Sequence, residues 1–227
     1  MKSIGSLWNY AALLSVLACA GERTPGAVDS ARVQASPSVA EADAGKTILF
    51  LGTSLTAGLG LDPDSAYPIL IQRKLDSAGM KYRVVNAGSS GETSSGLLRR
   101  IDWLLQQKLD VVVIETGAND GLRGVPVSAM RDNLKEIIVR IRAEQPWVTI
   151  ALIQMEALPN MGAAYTRDFH NAFPALAREQ NVPLLPFLLD GVAGVRELNQ
   201  GDGIHPNEEG ERIVAQNVWK ALKPLLR

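Results

Sequence analysis

The chain has 227 residues, of which 46% are hydrophobic and 21% charged, a composition that suits one soluble globular domain with extra sequence at one end. A formal net charge of −1, with lysines and arginines scattered over expected helix faces beside acids, excludes a nucleic-acid footprint. The single cysteine excludes an intrachain disulfide, and two histidines without a usable cysteine argue against a structural zinc site.

In chain order, the N-terminal stretch MKSIGSLWNYAALLSVLACA (residues 1–20) combines one early lysine, an apolar run through Leu17 and small residues around Cys19. That is the pattern of a secretory signal, too short for a stable membrane span. Val16-Leu17-Ala18-Cys19 resembles a bacterial lipobox, which makes Cys19 a lipidation candidate, whereas Ala18-Cys19-Ala20 also fits an ordinary signal-peptidase site. Residues 21–45, rich in Ala, Ser, Pro and Gly without apolar periodicity, read as a flexible tether. The globular domain is therefore expected over residues 46–227.

From Lys46 onward, apolar runs alternate with helical patterns. TILFL, RVVNA, DVVVIETG, VTIALIQ and VPLLPF are short and nearly continuously apolar, as strands covered on both faces should be. SAYPILIQRKLDSAG reads as a helix with Ser65 as N-cap and Pro68 in the first turn. LLRRIDWLLQQKL places Leu97, Leu98, Ile101, Leu104 and Leu105 on one face. SAMRDNLKEIIVRIRAEQ does the same with Met130, Leu134, Ile137, Ile138 and Ile141, with Ser128 as the cap. YTRDFHNAFPALARE is a helical pattern interrupted by Pro174, and the last helix is expected to open at Pro206. Trp103, Trp147 and Trp219 read as packing residues. The alternation predicts a three-layer α/β/α sandwich around five parallel strands in flavodoxin-like order.

In such a sheet, function collects at the carboxyl ends of the strands. Gly52-Thr53-Ser54-Leu55 follows the first run, Asn86-Ala87-Gly88-Ser89-Ser90-Gly91-Glu92-Thr93 the second and Gly117-Ala118-Asn119-Asp120-Gly121 the third. Gly201-Asp202-Gly203-Ile204-His205-Pro206-Asn207 precedes the last helix. These turns offer a hydroxyl, backbone N–H groups beside glycine, a carboxamide, and a carboxylate three residues before an imidazole. Acyl transfer needs those groups: serine requires a base, the imidazolium requires a carboxylate behind it, and the developing oxyanion requires donors.

The four blocks resemble the SGNH, or GDSL-type, hydrolases, over essentially the whole expected domain. NAGSSGETSSG, ETGANDGLRG, VPLLPF and GDGIHPN look particularly like the branch of bacterial arylesterases and periplasmic acyl-CoA thioesterase/lysophospholipases. The resemblance implies Ser54 as nucleophile, His205 as general base and Asp202 as its orienting acid. It implies an oxyanion hole of the Ser54 and Gly91 amides and the Asn119 carboxamide, with Gly88 as the fallback for Gly91. The family's first block usually reads Gly-Asp-Ser-Leu; here Thr53 stands in place of the Asp, and its hydroxyl is expected to join the hydrogen bonding of the surrounding loops.

The implied reaction is hydrolysis of short- to medium-chain acyl esters, aryl esters, thioesters or lysophospholipids through an acyl-enzyme, without metal or cofactor. The implied setting is exported, periplasmic or lipid-anchored in a bacterium, with a small acyl substrate as the partner. Plainer roles stand beside these: Ser54 as a turn residue, Asn119-Asp120 as an Asx turn, His205 as a helix cap, and His170 as a surface or packing residue. Two rival functions remain at this level. One is a flavodoxin-like binding module, lipid-anchored or not, whose GTSLT loop cradles a flavin phosphate; the other is a carbohydrate O-deacetylase of the same family. A P-loop is excluded because no Gly-Lys-Ser/Thr follows the first strand. Thr56 replaces the second glycine that a Gly-x-Ser-x-Gly elbow needs.

Overall fold

A computed structural model of the protein describes residues 45–227. The expected export signal, the Cys19 lipidation candidate and all of the expected tether but Gly45 lie outside the described residues.

The first apolar run forms β1 (Lys46–Gly52), in which Ile48, Leu49, Phe50 and Leu51 are all fully buried. Burial on both pleats requires cover on both sheet faces, and β1 has a strand on each side as well. β2 (Tyr82–Gly88) lies on one edge of it and β3 (Val111–Ile114) on the other. β4 (Thr149–Gln154) and β5 (Leu184–Phe187) complete a parallel sheet in the order β2-β1-β3-β4-β5. This is the flavodoxin-like order expected from the alternating pattern.

Seven helices are described: α1 (Ser54–Ala57), α2 (Tyr67–Ser77), α3 (Ser94–Leu104), α4 (Ala118–Leu122), α5 (Val127–Glu144), α6 (Ala163–Glu179) and α7 (Glu208–Leu222). α2 packs on α7 along one face of the sheet, while α3, α5 and α6 pack in a row on the other. α5 buries Met130, Leu134, Ile137, Ile138 and Ile141, the stripe its periodicity marks.

Helix starts differ from the sequence reading. Ser65 ends a short 3-10 turn instead of capping α2; Ala66 holds the cap position, and the Tyr67 N–H donates to the Glu211 carboxyl. Ser128 lies inside α5, whose cap position is Pro126. α7 opens after Asn207, whose Oδ1 accepts from the Glu209 and Gly210 N–H groups, so Pro206 precedes the helix. α6 runs through Pro174 without ending. Trp103 and Trp147 are 68% and 62% exposed, so neither is a core packing residue, although Trp147 Nε1–H donates to the Leu109 carbonyl; Trp219 packs at the core's margin.

Candidate active site

All parallel strands end at one edge, and α1 begins one residue after β1 leaves it. That places Ser54 at the first position of α1, 8% exposed, with its N–H among the amides that a helix start leaves without an intrahelical acceptor. The turn is held from below. Glu115, fully buried just past β3, accepts from the Thr53 N–H (2.7 Å), the Thr53 hydroxyl (3.0 Å) and the Thr56 hydroxyl (2.8 Å). Burial pushes the Glu115 carboxyl above its ordinary range, and these hydrogen bonds oppose that shift. Gly52 must be glycine for space: a Cβ there would stand 1.9 Å from Thr56 Oγ1 and 2.6 Å from Glu115 Oε2.

The loop before α7 reaches over the same edge. His205 Nε2 lies 2.8 Å from Ser54 Oγ, and His205 Nδ1 lies 2.6 Å from Asp202 Oδ2. The carboxylate assigns the tautomer: Nδ1–H donates to Asp202, and Nε2 accepts from the serine hydroxyl. Asp202 Oδ1 also accepts from the Ile204 and His205 N–H groups. The imidazole bond and these two amides hold the Asp202 carboxyl down at about 2.

On the opposite side, the loop after β2 carries Gly91 at φ 77°, a left-handed conformation that glycine adopts without strain. Arg100 fixes this loop through a bidentate pair with Glu92 (2.7 and 2.6 Å) and a bond to the Ala87 carbonyl (2.7 Å). Arg123 donates to the Gly91 carbonyl (2.8 Å). Asn119 Nδ2 donates one hydrogen to the Glu92 carbonyl (3.0 Å), which aims the carboxamide. Gly88 N–H is taken by Asn86 Oδ1 (2.9 Å), and Gly91, unlike Gly88, lines the cleft beside Ser54. Asp120 forms no Asx turn: its carboxylate accepts from the Ser94 N–H and hydroxyl and ties α4 to α3.

The groups meet in a cleft of about 570 Å³ that runs from Ser54, Gly91, Asn119 and His205 past Leu122, Met155, Leu158 and Phe187. Its walls are mostly apolar, as suits an acyl chain or an aromatic ring. Among the described residues, no group of three or more His, Cys, Asp or Glu side chains is placed to hold a metal ion. The flavin-phosphate reading of the GTSLT loop fails on geometry. Thr53 and Thr56 are both fully buried and bonded to a carboxyl group, not presented to an anion.

The sequence profile of the GDSL-like lipase/acylhydrolase family matches residues 50–213. The chain belongs to that family. Esterase TesA of Pseudomonas aeruginosa is 42% identical over 184 residues, covering 81% of this chain and 90% of TesA. Thioesterase 1/protease 1/lysophospholipase L1 of Escherichia coli K12 is 38% identical over 186 residues, covering 82% of this chain and 87% of that protein. A crystal structure of TesA superposes with a TM-score of 0.76 at 41% identity, over 80% of this chain and 100% of that one. The psychrotrophic esterase EstA of Pseudoalteromonas sp., in a structure inhibited by monoethylphosphonate, gives 0.76 at 36% identity, over 80% and 98% of the two chains. This GDSL-family chain is thus a hydrolytic enzyme of the arylesterase and thioesterase/lysophospholipase branch, not a binding module.

Several residues of the site escape a reading by motif. Glu115 leaves one trace, a lone acid between an apolar strand and a glycine. Glu92–Arg100 is an acid and a base eight residues apart across a loop and a helix start, a spacing no periodic pattern marks. Glu156, on the loop after β4, lines the cleft and pairs with His170, so His170 is a surface residue with a partner.

Proposed function

We propose that this enzyme hydrolyses short- to medium-chain acyl esters, including aryl esters and thioesters, through an acyl-enzyme on Ser54. The observation that carries this reading is the chain of two short hydrogen bonds, Ser54 Oγ to His205 Nε2 at 2.8 Å and His205 Nδ1 to Asp202 Oδ2 at 2.6 Å, opening onto an apolar cleft. His205 removes the hydroxyl proton as Ser54 attacks the carbonyl carbon, and Asp202, ionised down to about 2, balances the imidazolium. The Ser54 and Gly91 amides and the free hydrogen of Asn119 Nδ2 receive the oxyanion. His205 then passes its proton to the departing alkoxide or thiolate. Water, deprotonated by the same imidazole, releases the acid and restores the serine.

The names of the relatives support an ester or thioester as substrate, and the mostly apolar lining of the cleft favours an acyl group over a polar sugar. The sequence before residue 46 supports export of the enzyme, either lipid-anchored through Cys19 or released by an ordinary signal peptidase at Ala18-Cys19-Ala20. The test is hydrolysis of p-nitrophenyl acetate and butyrate by the full chain beside Ser54→Ala. Turnover in the wild type that falls by at least about 10³-fold in the variant is expected. Equal rates in the two proteins, or folded wild type inert towards both esters and a butyryl thioester, would overturn the reading.

A further inference from the structure

The catalytic cleft holds one formal charge outside the triad. Of the residues lining it, Glu156 is the sole Asp, Glu, Lys or Arg among the described residues, and its neighbours Met155, Ala157 and Leu158 are apolar. The carboxylate is held in place. Its Oε1 accepts from His170 Nδ1–H (2.7 Å) and from Gln154 Nε2 (3.2 Å). Gln154 is itself nearly buried, and its Nε2 also donates to the Met155 carbonyl (2.9 Å). Both bonds go to Oε1, so Oε2 carries none of the hydrogen bonds that fix the side chain. Arg123, the cation on the oxyanion side, directs its guanidinium to the Gly91 carbonyl and does not line the cleft.

A fixed carboxylate in a mostly apolar wall costs desolvation whenever a neutral chain covers it, and it repels an anionic chain. It gives a return with a hydrogen-bond donor or with a cationic substrate group, and only the cation gains without needing a donor hydrogen aimed at the oxygen. We propose that Glu156 is a specificity-determining residue: it makes the cleft selective for esters bearing a cationic, especially quaternary ammonium, group, and against esters bearing an anionic one. This deepens the ester-hydrolase reading and rests on it. Glu156 takes no part in the bond changes; its charge acts on binding of the substrate along the wall between β4 and α6. Quaternary ammonium suits such a site because it carries charge with little hydration and fits the apolar neighbours.

The charge can sit on either side of the scissile carbonyl, so the experiment uses two matched series. One consists of p-nitrophenyl esters of trimethylammoniobutyric acid, its neutral tert-butyl isostere and glutaric acid. The other consists of butyryl thioesters of thiocholine, neutral dimethylbutanethiol and mercaptopropionate. The quantity read is the ratio of kcat/KM for the cationic and anionic members, at low and high salt, in the wild type, Glu156→Gln and Glu156→Lys. A ratio within each protein is insensitive to a general loss of activity or fold.

In at least one series the wild-type ratio is expected to be roughly tenfold at low salt and to shrink at high salt, as for a partly exposed charge. It should approach one in Glu156→Gln and invert in Glu156→Lys. A wild-type ratio near one in both series, or a ratio that Glu156→Gln leaves unchanged, overturns the proposal while leaving the ester reading intact. Absence of any Ser54-dependent hydrolysis of the neutral members would instead remove the ester reading, and this proposal with it.

Discussion

Asn119 carries two amide hydrogens, and the Glu92 carbonyl takes one of them. The bond fixes the plane of the carboxamide, so the second hydrogen points in one direction before any substrate arrives. Preorganisation of that kind lowers the barrier because no donor has to reorient as charge develops. Asn119→Ala is therefore expected to lower kcat by about 10²–10³-fold on p-nitrophenyl butyrate while leaving KM within a few-fold. Steady-state kinetics check it; a variant that mainly raises KM would make Asn119 a substrate-binding group and not an oxyanion donor. The position of Asn119 was legible in the sequence because a motif at a strand end fixes it. The partner that aims it was not, since a backbone carbonyl 27 residues away leaves no mark in residue identity.

At the scale of elements, the Ser54 turn joins β1 to α1 over a buried acid. Thr53 stands where its family usually has Asp, and the structure shows what its hydroxyl does: together with the Thr53 N–H it supplies hydrogen bonds to Glu115, itself fully buried. An Asp there would set a second carboxyl against Glu115, and the pair would need a shared proton. Thr53→Val keeps the shape and removes one donor from a buried acceptor, at a cost of about 1–3 kcal/mol. A denaturant titration should show the midpoint falling without a change of slope. A midpoint equal to the wild type would mean that Glu115 is satisfied by its other donors. The order of strands and the buried stripe of α5 were legible because periodicity and strand alternation are properties of whole segments. Helix starts were less so. The cap position of α2 falls on Ala66, whose neighbouring amide is met by Glu211 from the far end of the chain, and such tertiary contacts override local cap preference.

Across the whole molecule, two buried carboxyl groups link the sheet, the Ser54 turn and the α2–α7 layer. Thr56 Oγ1 bonds both Glu115 and the Tyr67 hydroxyl, and Tyr67 N–H donates to Glu211, which is 1% exposed. The sequence offers a hint of this: Glu211, Val214, Ala215, Val218 and Leu222 share the buried face of α7, so an acid occupies a core position. Burial raises the Glu211 carboxyl to about 8; the Tyr67 N–H opposes that rise, and Glu115 adds to it. An unfolded chain releases this proton near the ordinary carboxyl value of 4.5. Between about 4.5 and about 8 the folded protein therefore binds a proton that the unfolded chain does not, and linkage makes stability fall as pH rises through that window. Glu211→Gln has no proton to lose and still offers an acceptor to Tyr67 N–H. The thermal midpoint of the wild type should consequently drop more steeply than that of Glu211→Gln from pH about 5 to pH about 8.5, while the difference in unfolding free energy between them changes by at most about 1.4 kcal/mol per pH unit. Asp202 cannot produce this trend, because its carboxyl is held down at about 2 and its contribution is lost only as pH falls towards that value. Parallel midpoint curves for the two proteins would show that Glu211 is ionised in the fold across the whole range, with a cation or water supplying what burial removes.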